Sequence, residues 1–259
     1  DQNAAKEVEW IYLGRFKSHK KPISGLEFGM VPFGDVARLM SVGEDRRLIE
    51  YDLVNSSIEG GIKLKAVHLV AQSSIPTSFL WTRVHITERY KNEPKEFDTL
   101  LFADNHYKVT EFITPDSNRD TQCLKTKTGP TFGGPLNRMI LVPNPSGDPK
   151  DPQRIKFMAY TTHERVVGLI HLLINGDQDR YMGLIAHSGQ VSSCTVSSDG
   201  RYLFTAGGTD CTVNQWAING HYLEKASQIS SDENIKPFIE QIEGGSQGEF
   251  FQEIKHMFY

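Results

Sequence analysis

Few residues in this 259-residue chain have types that could do chemistry, and their spacing decides what each is for. Gly244-Gly245-Ser246-Gln247-Gly248 fits G-x-S-x-G, where a serine is raised on a strained strand-to-helix turn as a nucleophile. That geometry needs a strand before the serine. Here Ile235, Phe238, Ile239 and Ile242 precede it at i, i+3, i+4 and i+7, a helical period, and Ser246 with Glu249 reads as a capping box. Asn175-Gly176-Asp177-Gln178-Asp179 carries the acids of a calcium loop. Counted from Asp177, however, the closing position is Ser188 instead of glutamate, so a hairpin turn is expected. The nine histidines form no pair at zinc-ligand spacing near the three cysteines. No catalytic residue, no metal, no cofactor and no small-molecule substrate is expected.

The remaining polar residues recur in register, and their flanks define the elements that hold them. His187 opens a strand with inward positions Val191, Cys194 and Val196. Ser198-Asp199-Gly200 is a tight turn, with glycine free to take positive φ. Tyr202, Phe204 and the small run Ala206-Gly207-Gly208 form the next strand and its turn, and Asp210 begins a third strand ending at Trp216. His187, Thr205, Asp210 and Trp216 can therefore join into one hydrogen-bonded chain, which a buried carboxylate requires. The pattern resembles the WD-repeat family, whose blades usually carry aspartate where Ala217 stands here.

The template recurs. Residues 15–52 supply His19, Ser41, Asp45 and Tyr51, with Ile23, Leu26 and Phe28 in the first strand's inward slots. Residues 68–112 match more weakly: Ile75, Phe79 and Trp81 in one strand, Thr99 to Ala103 in the next, and His106 where the acid should be. Residues 123–173 give strands at Arg138 to Pro143 and Lys156 to Thr161, with Glu164 and Ile170 replacing the acid and the aromatic. The closing positions Tyr51, Phe112, Ile170 and Trp216 are spaced more widely than the roughly 40–45 residues of a typical repeat. Two insertions account for this, the charged stretch 87–96 and the proline-rich stretch 143–152, both expected as surface loops.

The fold class is thus an all-β propeller of about four blades, over residues 1–230, followed by a helical tail over 231–259. Four is the low limit for ring closure, and Glu9 to Phe16 reads as an outer strand leading into the first blade. A larger, seven-bladed ring with upstream blades is therefore expected, the chain being a segment of something longer. In the tail, Phe250, Phe251, Ile254, Met257 and Phe258 form an apolar side that must bury against the propeller or against a partner. Composition is ordinary for a globular protein, 38% hydrophobic and 23% charged, and the net charge of −4 argues against general nucleic-acid binding. No apolar run of about 18 residues offers a membrane span. Three cysteines cannot all pair with one another, which fits a reduced, cytoplasmic compartment.

Several stretches together carry a narrower resemblance. They are Phe16 to Ile23, Arg47 to Leu53, Tyr107-Lys108-Val109, Asp199 to Tyr202, Phe204 to Gly208, and the Gly244-Gly245 tail running to Tyr259. They are similar to the cilia- and flagella-associated WD-repeat family of the calmodulin- and spoke-associated complex. The resemblance is strong at 16–52 and 199–259 and thin between 54 and 155. It implies a non-catalytic scaffold in the cilium or flagellum axoneme, helping to anchor a radial spoke base to the doublet microtubule and so supporting motility. It also implies an EF-hand-like region downstream, and as partners other spoke-base subunits, calmodulin and doublet tubulin. The alternatives are a cytosolic adaptor recruiting a substrate to an enzyme such as a ubiquitin ligase, and a hydrolase using Ser246. Partner contacts are expected at the residue before each acid position, Glu44, Asn105, His163 and Thr209, and on the tail at Phe250, Phe251, Ile254 and Phe258. Lys17, Lys20, Lys21, Arg46 and Arg47 read by default as solvated charge, with contact to acidic tubulin tails as the sharper reading.

Overall fold

The computed structural model describes residues 11–30, 37–85, 96–114, 122–144, 156–172 and 181–220. Among them the chain makes four antiparallel sheets. The first contains β1 (Ile23–Met30), β2 (Ala37–Gly43), β3 (Arg47–Ser57) and β4 (Gly61–Leu69). The second contains β5 (Pro76–His85), β6 (Glu96–Asp104), β7 (Lys108–Ile113) and β8 (Gln122–Thr128). The third contains β9 (Leu136–Leu141), β10 (Phe157–Thr162), β11 (Val166–His171) and β12 (Tyr181–Ile185). The last has β13 (Val191–Val196), β14 (Tyr202–Gly207) and β15 (Val213–Ala217). Every strand pairs with its sequence neighbour, so each sheet is a meander and the whole is a four-bladed propeller arrangement.

Strand alternation gives each blade two apolar faces, and successive blades bury them against one another. Met40, Val42 and Leu48 of the first blade pack on Phe79, Trp81, Leu100, Phe102 and Phe112 of the second. Leu80, Leu101 and Val109 then meet Leu136, Met139, Met158, Tyr160 and Ile170 of the third. Its other face, with Val142, Ala159, Val167 and Leu169, receives Val191, Cys194, Leu203 and Trp216. Close approach at the first interface depends on glycine. A Cβ at Gly25 would stand 2.6 Å from that of Phe79, and one at Gly29 would stand 2.2 Å from the Trp81 ring. The same interface holds a buried carboxylate, Glu50. Burial alone would raise its pKa, but the 2.8 Å bonds from Arg38 and the 2.9 Å bond from Lys65 outweigh that and hold it below the usual range.

Two sequence expectations change. Ile23, Leu26 and Phe28 are 52%, 56% and 67% exposed and do not fill an interior. They occupy the same positions relative to His19 as Val191, Cys194 and Val196 do to His187, and those three pack against the third blade. Among the described residues no blade stands against the face of Ile23, Leu26 and Phe28. Of the stretch from Glu9 to Phe16, expected as an outer strand, residues 11–16 form no strand, and residues 9 and 10 lie outside the described residues. The outer strands β4, β8 and β12 fall outside the histidine–hydroxyl–acid–aromatic template, which ends at the third strand of each blade. The insertion at 87–96 begins beyond a hairpin whose ladder extends to His85 opposite Glu96; residues 86–95 lie outside the described residues, as do residues 145–152 of the other insertion.

Glu27 lies between Gly25 and Gly29, on the β1 face turned toward β5. Burial pushes its carboxyl up to about 7, with Arg138 pulling the other way. Its folded pKa is raised, so its contribution to stability is complete below the unfolded value near 4.5 and is lost as pH rises through 7. Glu27→Gln is expected to flatten the stability profile between these limits and to stabilise by about 1–2 kcal/mol at pH 8, a figure discounted for partial solvation. Urea unfolding at pH 5 and pH 8 checks it; a parallel shift at both pH values would refute it.

Candidate functional site: two polar chains and the rim they hold

In the first blade, His19 Nδ1 stands 2.8 Å from Asp45 Oδ1, and Nε2 stands 2.7 Å from Ser41 Oγ. The Tyr51 hydroxyl lies 2.9 Å from Ser41 Oγ and 2.8 Å from Ser18 Oγ. In the last blade, His187 Nδ1 is 2.9 Å from Asp210 Oδ2 and Nε2 is 2.8 Å from Thr205 Oγ1, which accepts from Trp216 Nε1–H at 2.9 Å. Since an ionised carboxylate only accepts, each Nδ1 carries the proton and each Nε2 accepts from the hydroxyl. The Thr212 hydroxyl adds a second contact to His187 Nδ1 at 3.1 Å. Both nitrogens of both imidazoles are engaged and both rings are buried, leaving neither with a lone pair for a metal or a substrate. Among the described residues no group of three or more His, Cys, Asp or Glu could hold a metal ion.

These chains clamp strands through their acids. Asp45 Oδ2 accepts from the Lys20 amide at 2.9 Å, and Asp210 Oδ1 from the Thr212 amide at 3.2 Å. Burial alone would raise both carboxyls; the Lys20 amide and His19 for Asp45, and the Thr212 amide and His187 for Asp210, hold them below the ordinary range. A depressed folded pKa means stability that is present above about pH 4 and lost as pH falls below it. Asp210→Ala is expected to lower the melting temperature, since it leaves the His187 ring proton without its carboxylate acceptor. An unchanged melting temperature would show that the chain does not hold the blade.

One determinant escaped sequence reading. A Cβ on Gly43 would fall 2.5 Å from His19 Nδ1, and one on Gly207 1.8 Å from Asp210 Oδ1. Glycine opposite the first residue of the inner strand is therefore the signature of an intact chain. At the paired positions of the middle blades stand Asp104 and Thr162. The acid of the second blade, sought at His106, is also displaced. Asp104 Oδ1 caps that turn instead, accepting from the amides of His106 at 2.9 Å and Lys108 at 3.0 Å.

The β2–β3, β6–β7, β10–β11 and β14–β15 turns carry Glu44, Asn105, His163 and Thr209, and blade stacking sets them along one rim. His163 and Thr209 are exposed, whereas Glu44 and Asn105 are half-buried. Asn105 is committed to its own loop, because its Oδ1 accepts from the Ile75 amide at 2.8 Å and its amide donates to the Ile75 carbonyl at 3.0 Å. Three of these turns place a non-glycine residue in the left-handed region: Arg46 at φ 66°, Tyr107 at φ 59° and Cys211 at φ 55°. Ser246 and the tail positions Phe250, Phe251, Ile254 and Phe258 lie outside the described residues, as does Asn175 to Asp179.

Four stacked meanders, the first and last holding a histidine-centred chain, make a β-propeller arrangement of the WD-repeat kind, and residues 179–217 match the family described as "WD domain, G-beta repeat". The chain is 30% identical over 98% of its length to Cilia- and flagella-associated protein 251 of Tetrahymena thermophila, and 34% identical over 96% of its length to the protein of that name in Mus musculus. It spans 26% and 18% of the lengths of these two homologues. Among solved structures it resembles a chain of a humanized mutant of the Chaetomium thermophilum Polycomb Repressive Complex 2, with TM-score 0.51 and 16% identity, covering 76% of this chain and 38% of that one. A chain of an active polycomb repressive complex 2 in the basal state gives TM-score 0.51 at 16% identity, covering 76% of this chain and 37% of that one. At such identity these structures share the fold alone.

Proposed function

We propose that this chain is the propeller portion of a non-catalytic scaffold of the ciliary or flagellar axoneme, one that helps to anchor a radial spoke base to the doublet microtubule. The observation carrying this reading is the identity of 30% and 34%, over nearly the whole chain, to proteins named for cilia and flagella. The geometry is compatible with it, since both histidine–acid pairs are spent on holding strands and the rim turns are left to bind. In this proposal residues 1–230 belong to the blades and 231–259 to a helical tail leading toward an EF-hand-like region. The exposed face of Ile23, Leu26 and Phe28 supports a larger ring, because it repeats positions that another blade covers in the last sheet. Other spoke-base subunits, calmodulin and tubulin are the partners this role implies. Cross-linking mass spectrometry on isolated axonemes tests it. Cross-links from this propeller to spoke-base subunits are expected, and absence of the protein from axonemes would overturn the reading.

A further inference from the structure

We infer that the rim of the first blade is a docking surface for an acidic peptide segment of another protein, read by Lys20, Lys21, Arg46 and Arg47 with Lys17 at its margin. Two loops make this surface. The segment before β1 and the β2–β3 turn are tied by the Lys20 amide to Asp45 Oδ2 at 2.9 Å and by the Glu44 amide to the Pro22 carbonyl at 2.9 Å. The cations on these loops are thus carried by a rigid pair of backbones. Lys17, Lys20, Lys21 and Arg47 are exposed, and Arg46 is half-buried, its guanidinium reaching the Gln72 carbonyl. None of the five forms a salt bridge with a described carboxylate. Two acids share these loops, Asp45, 7% exposed and committed to His19, and half-buried Glu44, so the five cations keep an excess of positive charge.

Blade architecture does not demand this charge. The last blade keeps the same histidine–acid chain with Ser188 and Gly189 in place of Lys20 and Lys21, and Cys211 and Thr212 in place of Arg46 and Arg47. Arg46 further holds a left-handed backbone that glycine adopts freely, at a cost of about 1–2 kcal/mol for a side chain. The cations stand on a chain whose net charge is −4, so the patch is opposite in sign to the chain as a whole. A local patch of this kind fits a short run of carboxylates. A nucleic acid would meet repulsion from the rest of the chain, whose net charge is −4. This inference stands apart from the ciliary reading, and each can fail without the other.

The test is fluorescence anisotropy of a labelled ten-glutamate peptide titrated with the full-length protein at low and at physiological salt. The rim variant Lys20→Ser, Lys21→Ser, Arg46→Gly and Arg47→Thr is expected to bind at least tenfold more weakly, and the parent to weaken as salt is raised. The control Lys63→Ser with Lys127→Ser, at exposed lysines on outer strands, should stay within twofold of the parent. Arg47→Thr alone, which leaves both loop backbones and Arg46 unchanged, should show a smaller loss of the same sign. Equal binding by parent and rim variant would overturn the inference, as would tighter binding of an oligonucleotide than of the peptide through the same residues.

Discussion

Gly207→Ala is expected to destabilise the last blade by about 3–5 kcal/mol, the sum of overpacking and of a broken buried hydrogen-bond chain. The new Cβ would stand 1.8 Å from Asp210 Oδ1 and 2.6 Å from His187 Nδ1. The Gly207 backbone cannot retreat freely, because its amide donates to the Thr212 carbonyl at 2.9 Å. Asp210 must therefore swing away, freeing the imidazole that holds Thr205, and through Thr205 the indole of Trp216. The adjacent Gly208 supplies the control. A Cβ there meets nothing closer than the Gln190 carbonyl at 3.6 Å, so Gly208→Ala should cost less than about 1 kcal/mol. Chemical unfolding of both variants beside the parent checks the pair. Equal effects at the two glycines would mean that backbone freedom, and not the His187–Asp210 contact, sets the requirement.

Tyr160→Ala is expected to cost about 3–5 kcal/mol, as removal of a large core side chain does where the surroundings cannot collapse. Tyr160 is fully buried between the second and third blades, and its hydroxyl donates to the Met182 carbonyl at 3.2 Å. Burial pushes the phenol far above its ordinary pKa, so it stays a neutral donor at any relevant pH. Two glycines shape its slot. A Cβ at Gly168 would lie 2.3 Å from the tyrosine ring and 2.2 Å from the Met182 carbonyl, and one at Gly183 would lie 2.9 Å from the hydroxyl. The cavity left by alanine is bounded partly by backbone and closes poorly. Tyr160→Phe keeps the ring and gives up one hydrogen bond, an expected loss of about 1 kcal/mol. If phenylalanine proved as costly as alanine, the hydroxyl and not the ring would be the source of stability.

Much of the site was legible because its residues must be of particular types at particular separations. A histidine, a Ser or Thr, an acid and an aromatic recur at His19, Ser41, Asp45 and Tyr51 and again at His187, Thr205, Asp210 and Trp216, and the structure brings each set within 3 Å contacts. The role of Gly43 and Gly207 was not legible. An absent side chain announces nothing until the atoms that would collide with it are located. Asp104 was missed for a related reason, since capping depends on which amides a turn presents, and the template pointed two residues further on.

The alternation of apolar residues along each inner strand determined by itself which face of the strand is apolar, since β-pleating leaves no freedom in that choice. It also determined that the chain forms meanders closed by tight turns. What covers each face was decided only by tertiary structure. Ile23, Leu26 and Phe28 are read from sequence as core just as Val191, Cys194 and Val196 are, yet the first set is exposed and the second packs on the third blade. Burial is a property of two surfaces, and a strand's own sequence specifies only one of them.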